Sequence, residues 1–225
     1  MTMEMDMQLI SATPSPWARK VRILAIEKGI ALEVINDIPW APETCVPQYN
    51  PLEKLPILLT DDGDRIYESR LIVEWLERRF PEPPMIPADD EGYIKAKKFE
   101  VLADGTLDAM LLAVFEMTRK HVDPEWEARQ VRKVDGGLRE IARLVGDRHF
   151  AIGDGISLAD AAIGSLLGSL DFSREQQRTV PGGNWRALYP ALAIYFDRLE
   201  ERPSFRETRP IMFDFDVMNR ANQAA

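Results

Sequence analysis

Three short stretches of this 225-residue chain combine residue types that can do chemistry. In Thr13-Pro14-Ser15-Pro16-Trp17-Ala18-Arg19-Lys20, Ser15 suits a helix N-cap and Pro16 the first helical position. A hydroxyl there sits at the positive end of a helix, which stabilises an anion, a thiolate included. Taken alone, the stretch is also an ordinary capped helix start. In Asn50-Pro51-Leu52-Glu53-Lys54-Leu55-Pro56, the second proline stands immediately before an apolar run. Proline cannot donate within a sheet, so Pro56 belongs at a strand start or an edge. In the common trans form it is punctuation. In the cis form it leaves the Leu55 N–H and C=O unpaired and facing a peptide ligand. In Tyr67-Glu68-Ser69-Arg70, Ser69 suits a second N-cap. The free N–H groups of that helix start, with the hydroxyl, would hold a carboxylate, and Glu68 beside them an ammonium. Together they fit the zwitterionic end of an amino acid.

The elements that must position these stretches follow from periodicity. Residues 8–11 read as a first strand and 31–35 as a second. Between them Trp17, Val21, Leu24 and Ala25 mark one face of a helix that Gly29 ends. Residues 38–51 hold four prolines and read as an irregular connection. Residues 57–67 form a hairpin around Asp61-Asp62-Gly63-Asp64. A helix follows, opened by Ser69, with Leu71, Ile72, Trp75, Leu76 and Phe80 facing inward. The order βαβ then ββα gives a small mixed sheet with helices, an α/β unit. Residues 81–87 carry four prolines, which no helix continues, and set a boundary between residues 1–84 and 85–225.

The second unit reads as all-helical, with helices over residues 93–120, 124–145, 158–172 and 189–202 and no further strand. The helix after Ser157 carries small residues on several faces (Ala161, Ala162, Gly164, Ser165, Gly168, Ser169), the pattern of a central helix closely packed by neighbours.

Composition removes several classes of function. Lys plus Arg number 28 and Asp plus Glu 37, a net charge of −9. Such a chain repels phosphate backbones, which argues against nucleic acid and against a basic membrane-surface role. The single cysteine, Cys45, excludes an intrachain disulfide and a cysteine-cluster metal site, and we read it as a bystander. Two histidines make a histidine metal site or a Ser-His-Asp triad a poor fit, so no metal is expected. The first seven residues, with early acids and no long apolar run, do not read as a secretory signal, and the most apolar stretch, 158–170, reads as too short and polar to span a bilayer. The expected location is the cytoplasm.

The order and spacing of the three stretches resemble the thioredoxin-like half of a glutathione transferase. The second half agrees: Gly153-Asp154-Gly155-Ile156-Ser157-Leu158-Ala159-Asp160 is similar to that family's capping box. Trp185-Arg186-Ala187-Leu188-Tyr189-Pro190-Ala191-Leu192 and Arg202-Pro203-Ser204-Phe205 resemble its terminal helices. The resemblance covers nearly the whole chain and is nearest to serine-type bacterial members. It implies a thioredoxin-like N-terminal domain and an all-α C-terminal bundle. It also implies glutathione as co-substrate and a homodimer. Ser15 would donate to the sulfur. Leu55, ahead of cis Pro56, would pair main chain to main chain with the cysteinyl part. Glu68 and Ser69 would hold the γ-glutamyl end, and Lys54 the glycyl carboxylate. Trp17, Met110, Leu111 and Phe115 would line the pocket for an apolar electrophile, although such a stripe also packs cores.

Because Ser15 cannot form the mixed disulfide that cysteine-type relatives form, conjugation is favoured over disulfide reduction. A thiol of pKa about 8.5 is only a few per cent ionised near neutrality. Lowering it by ~2 units multiplies the thiolate fraction about tenfold. The accompanying loss of nucleophilicity, with a slope of ~0.4–0.5, removes most of that gain. Holding both reactants in register contributes up to ~7–11 kcal/mol, so the pocket carries much of the acceleration. Two rival readings remain: a thiol-dependent isomerase or dehalogenase on the same scaffold, which returns its glutathione, and a binding module without turnover.

Overall fold

The structure is a computed structural model, and it describes residues 7–117, 119–176 and 179–213. Strand β1 (Gln8–Ser11) pairs in parallel with β2 (Glu33–Asn36) and antiparallel with β3 (Ile57–Leu59), which pairs antiparallel with β4 (Arg65–Tyr67). The sheet order is β2-β1-β3-β4. Side chains alternate across the sheet as the pleat requires. Leu9 and Leu58 face one side, where they meet Val21 and Leu24 of α1 (Pro16–Glu27) and Ile72, Val73 and Leu76 of α3 (Ser69–Arg79). Ile10 and Ile57 face the other side and meet Val46 of α2 (Val46–Tyr49). The β3–β4 turn closes with Gly63 at φ +85°, a conformation open to glycine.

After the proline-rich connection the described residues are helical: α4 (Asp90–Met117), α5 (Pro124–Val145), α6 (Leu158–Glu175), α7 (Trp185–Leu188), α8 (Pro190–Glu200) and α9 (Pro203–Glu207). Helix α6 is central, with every residue from 158 to 170 buried. Its small residues admit neighbours that a larger side chain would exclude. A Cβ on Gly164 would collide with the Phe205 ring, and one on Gly168 with the Arg19 guanidinium. The start of α6 is fixed by one carboxylate. Asp160 accepts the Ser157 N–H (2.9 Å) and hydroxyl (2.7 Å), the Ala151 N–H (2.8 Å) and the Tyr195 hydroxyl (2.6 Å). Burial pushes this carboxyl above the usual range, against the pull of those bonds.

Four expectations need correction. Strand β2 begins two residues later than expected and reaches Asn36, because its register is set by pairing with Gln8–Ser11. The connection after it contains the short helix α2, which covers the open face of the sheet. Leu71 is exposed on α3; Val73, with Ile72 and Leu76, makes the buried face. Ser69 is the first helical residue of α3 and not its cap: Glu68, at φ 78°, occupies the N-cap, and its carboxylate reaches back to accept the Arg70 N–H at 3.2 Å.

Candidate functional site

The strand register brings the three stretches together. Ile10, Ile57 and Tyr67 form one row across the sheet. Strand β1 runs upward past that row into the loop that carries Ser15. Strand β3 runs downward into it from Leu55 and Pro56, and β4 runs upward past it to Glu68 and Ser69. All three stretches therefore emerge from the same rim of the sheet.

Each is held by local chemistry. Ser15 caps α1, accepting the Ala18 N–H at 3.3 Å, while its own N–H donates to the Ala12 carbonyl at 3.0 Å. That cap uses a lone pair of the hydroxyl oxygen and leaves the O–H proton to donate elsewhere. The Leu55–Pro56 peptide is cis, with Pro56 buried and Leu55 half-buried. The approach to it is braced by Asn50, whose side chain donates to the Lys54 carbonyl at 2.8 Å and accepts the Leu52 N–H at 2.9 Å. Lys54 is exposed. Ser69 is buried at the start of α3, and its hydroxyl donates to exposed Glu68 at 3.3 Å. A carboxylate offers about four acceptor positions, so Glu68 keeps capacity for a further donor. Glu68 at positive φ is a strained position, of the kind held where surrounding structure over-determines it.

Helix α4 forms the facing wall. Asp104, Asp108, Leu111 and Phe115 recur at the spacing of one helical face. Asp108 lies near enough to feel Lys54, Glu68 and Arg70. Its carboxyl is pushed up, first by burial and then by Asp104. Leu111 is half-buried and Phe115 exposed on this face. Met110 points the other way and is buried in the helical core with Leu107 and Ala103, because it falls on the opposite side of the helix. Trp17 is half-buried and packs against that core from the start of α1. Two clefts, of about 440 and 650 Å³, open elsewhere, beside α6 and α8 and at the start of α5.

The chain beyond α9 returns to the rim. The Ile211 N–H reaches the Thr13 carbonyl at 3.4 Å, and Phe213 meets Trp40 edge-on at 5.4 Å between ring centroids. Residues 214–225 of this tail lie outside the described residues. Cys45 donates its S–H to Asp37 at 3.0 Å, and burial and that carboxylate push the thiol up to about 11.

Reading the sequence alone leaves out the charges between the two units. Arg19 and Lys20, both on α1, are buried, and both reach into the helical half. Arg19 meets Glu200 at 2.5 Å and the Gly164 and Phe205 carbonyls at 3.2 and 3.1 Å. Lys20 meets Glu100 and Asp104 on α4. The available signal was charge on an apolar face: Lys20 beside Val21, and Glu100 and Asp104 among Ala96, Phe99, Ala103 and Leu107.

Residues 14–79 match the family model for the glutathione S-transferase N-terminal domain, and residues 124–198 match that for the C-terminal domain. The uncharacterized GST-like protein YibF of Escherichia coli is 34% identical over 206 residues, spanning 91% of this chain and 98% of that protein. A maleylacetoacetate isomerase of Pseudomonas aeruginosa is 28% identical over 212 residues, 91% of this chain and 96% of its own. A glutathione S-transferase from Methylobacterium radiotolerans, solved in complex with glutathione sulfonate, superposes with a TM-score of 0.86 at 47% identity. That match covers 92% of this chain and 96% of the other. With its thioredoxin-like sheet, its helical second half and relatives matched along nearly their whole length, the chain belongs to the glutathione S-transferase family.

Proposed function

We propose that the chain is a serine-type glutathione transferase that joins the glutathione sulfur to small apolar electrophiles. The observation that carries this reading is the shared rim: Ser15, the Leu55–Pro56 peptide and Glu68–Ser69 emerge together beyond one row of the sheet. An extended tripeptide laid along that rim meets a hydroxyl for its sulfur, the Leu55 main chain for its cysteinyl part and a helix start for its γ-glutamyl carboxylate. Glu68 takes the γ-glutamyl ammonium and Lys54 the glycyl carboxylate. Residues 1–84 then hold the tripeptide. Residues 85–225 supply the electrophile pocket, with Leu111 and Phe115 on the α4 face, Trp17 opposite and Met110 behind them in the core. The glutathione sulfonate held by the Methylobacterium radiotolerans protein supports the choice of ligand. In this reading the protein works in the cytoplasm as a homodimer. Support for the second copy comes from Leu71 on α3 and Ile94 and Val101 on α4, which are apolar, more than half exposed and on adjoining helices.

The Ser15 hydroxyl donates its proton toward the sulfur while the start of α1 adds a positive potential, so the thiol ionises more readily. The thiolate attacks the electrophilic carbon, the new C–S bond forms, and the leaving group departs or the adduct takes up a proton. Titration of the full chain with glutathione by calorimetry, followed by a saturable rate with a generic aryl halide, is the expected result. No heat at millimolar glutathione overturns the proposal.

The similarity to a maleylacetoacetate isomerase favours a second reading, in which the thiolate adds to a conjugated substrate and is expelled again after rotation. Glutathione consumption separates the two: a transferase uses one per turnover and an isomerase returns it. Binding without any rate marks a holding module.

A further inference from the structure

Helix α1 carries a buried ammonium that the reaction does not touch. Lys20 is 1% exposed, and its Nζ lies 2.9 Å from Glu100 Oε1 and 2.9 and 3.2 Å from Asp104 Oδ2 and Oδ1. The same Asp104 Oδ2 accepts Arg70 Nε at 2.9 Å. Arg70 directly follows Ser69. Lys97 joins the cluster from α4, 2.5 Å from Glu100 and 2.9 Å from Glu74 on α3. Three cations face three carboxylates: Lys20, Glu100 and Asp104 are buried, and the partly exposed Arg70, Lys97 and Glu74 complete the balance. Burial alone would push the Glu100 carboxyl up, but Lys20 and Lys97 reverse this and hold it below the usual range.

The cluster links the two helix starts that the ligand must reach together. Ser15 and Lys20 ride on α1, and Ser69 and Arg70 stand at the start of α3. Without Lys20, Asp104 keeps, among the described contacts, the bond to Arg70, whose side chain is 40% exposed. Resting on the glutathione reading, we propose that Lys20 is a positioning residue for the γ-glutamyl end. Through Asp104 it holds Arg70 and the start of α3, and so keeps Glu68 and Ser69 at a set distance from Ser15.

The test is glutathione binding by calorimetry on the full chain, at temperatures where each variant is folded by circular dichroism. Lys20→Met weakens glutathione by about tenfold, the size of one lost positioning contact. Its effect falls to less than about twofold with butanoyl-Cys-Gly, which lacks both the carboxylate and the ammonium of the γ-glutamyl end, because coupling vanishes once the partners are gone. Tyr195→Phe lowers the melting temperature from a remote buried site and leaves the glutathione Kd unchanged. An unchanged Kd in Lys20→Met, an equal loss with both peptides, or an equal loss in Tyr195→Phe overturns the inference. If Lys20→Met does not fold, the charge-matched Lys20→Met/Glu100→Gln variant is judged by the same outcomes. Wild-type protein that binds no glutathione overturns the functional reading and this inference with it. Wild-type binding beside an unmoved variant overturns this inference alone.

Discussion

The Ser15 hydroxyl oxygen accepts the Ala18 N–H at 3.3 Å, so the group assigned to the sulfur is already fixed to its own helix. Ser15→Ala removes both roles. It lowers stability by about 0.5–2 kcal/mol, the usual cost of a lost N-cap. It also raises the thiol pKa of bound glutathione, read from ultraviolet thiolate absorbance. An unmoved thiol pKa would leave Ser15 with the cap alone.

Asp160 gathers four hydrogen bonds inside the helical unit. Asp160→Ala strands all four donors and costs on the order of 2–4 kcal/mol, seen as a lower midpoint in urea. Glutathione affinity of the folded fraction stays at the wild-type value, since the residue stands at the start of α6 and not at the rim.

Glu100 makes acid stability depend on the inter-unit ion cluster. Its folded-state carboxyl is depressed, so its contribution is fully present above its ordinary value of 4.5 and is lost as pH falls through the lower folded value. Melting temperature measured from pH 6 downward should fall below about pH 4.5. The Glu100→Gln variant should show a shallower decline over the same interval. Equal slopes would remove Glu100 from the account.

Cys45 offers a chemical readout of the loop beyond β2. With the thiol pushed up to about 11 from 9.0, its thiolate fraction at pH 8 is about a hundredfold below that of a free thiol. The higher nucleophilicity of the rarer thiolate returns part of this, so alkylation by iodoacetamide runs about tenfold slower than for a free thiol. Asp37→Asn removes the carboxylate 3.0 Å from the sulfur and speeds the reaction. A rate already equal to that of a free thiol would contradict the recorded environment.

Much of the fold was legible because its signals are local. Ser15-Pro16 marks a helix start whatever surrounds it, and the Asp-Gly turn marks a hairpin. The bounds of β2 were less so, since they depend on pairing with a strand more than twenty residues away. The cap of α3 was misplaced for a similar reason: Ser69 has the better capping side chain, but the positive φ of Glu68 puts the turn one residue earlier. At the site, the three rim stretches were readable as motifs. Lys20, Glu100 and Asp104 were not, because their meaning lies in a match between α1 and α4, eighty residues apart in sequence. Periodicity places Met110 and Leu111 on α4 equally well; only packing shows that Met110 is buried in the helical core while Leu111 stays half-buried.

The stripe of α4 that runs from Asp104 to Phe115 changes character along its length. Its lower end is locked by charge to two other helices, whereas its upper end presents apolar side chains, Leu111 half-buried and Phe115 exposed. Descendants of this chain can therefore exchange the upper residues, one substitution at a time, without disturbing the end that keeps the helices in place. New chemistry can be tried at one end of a single helix while inherited architecture persists at the other.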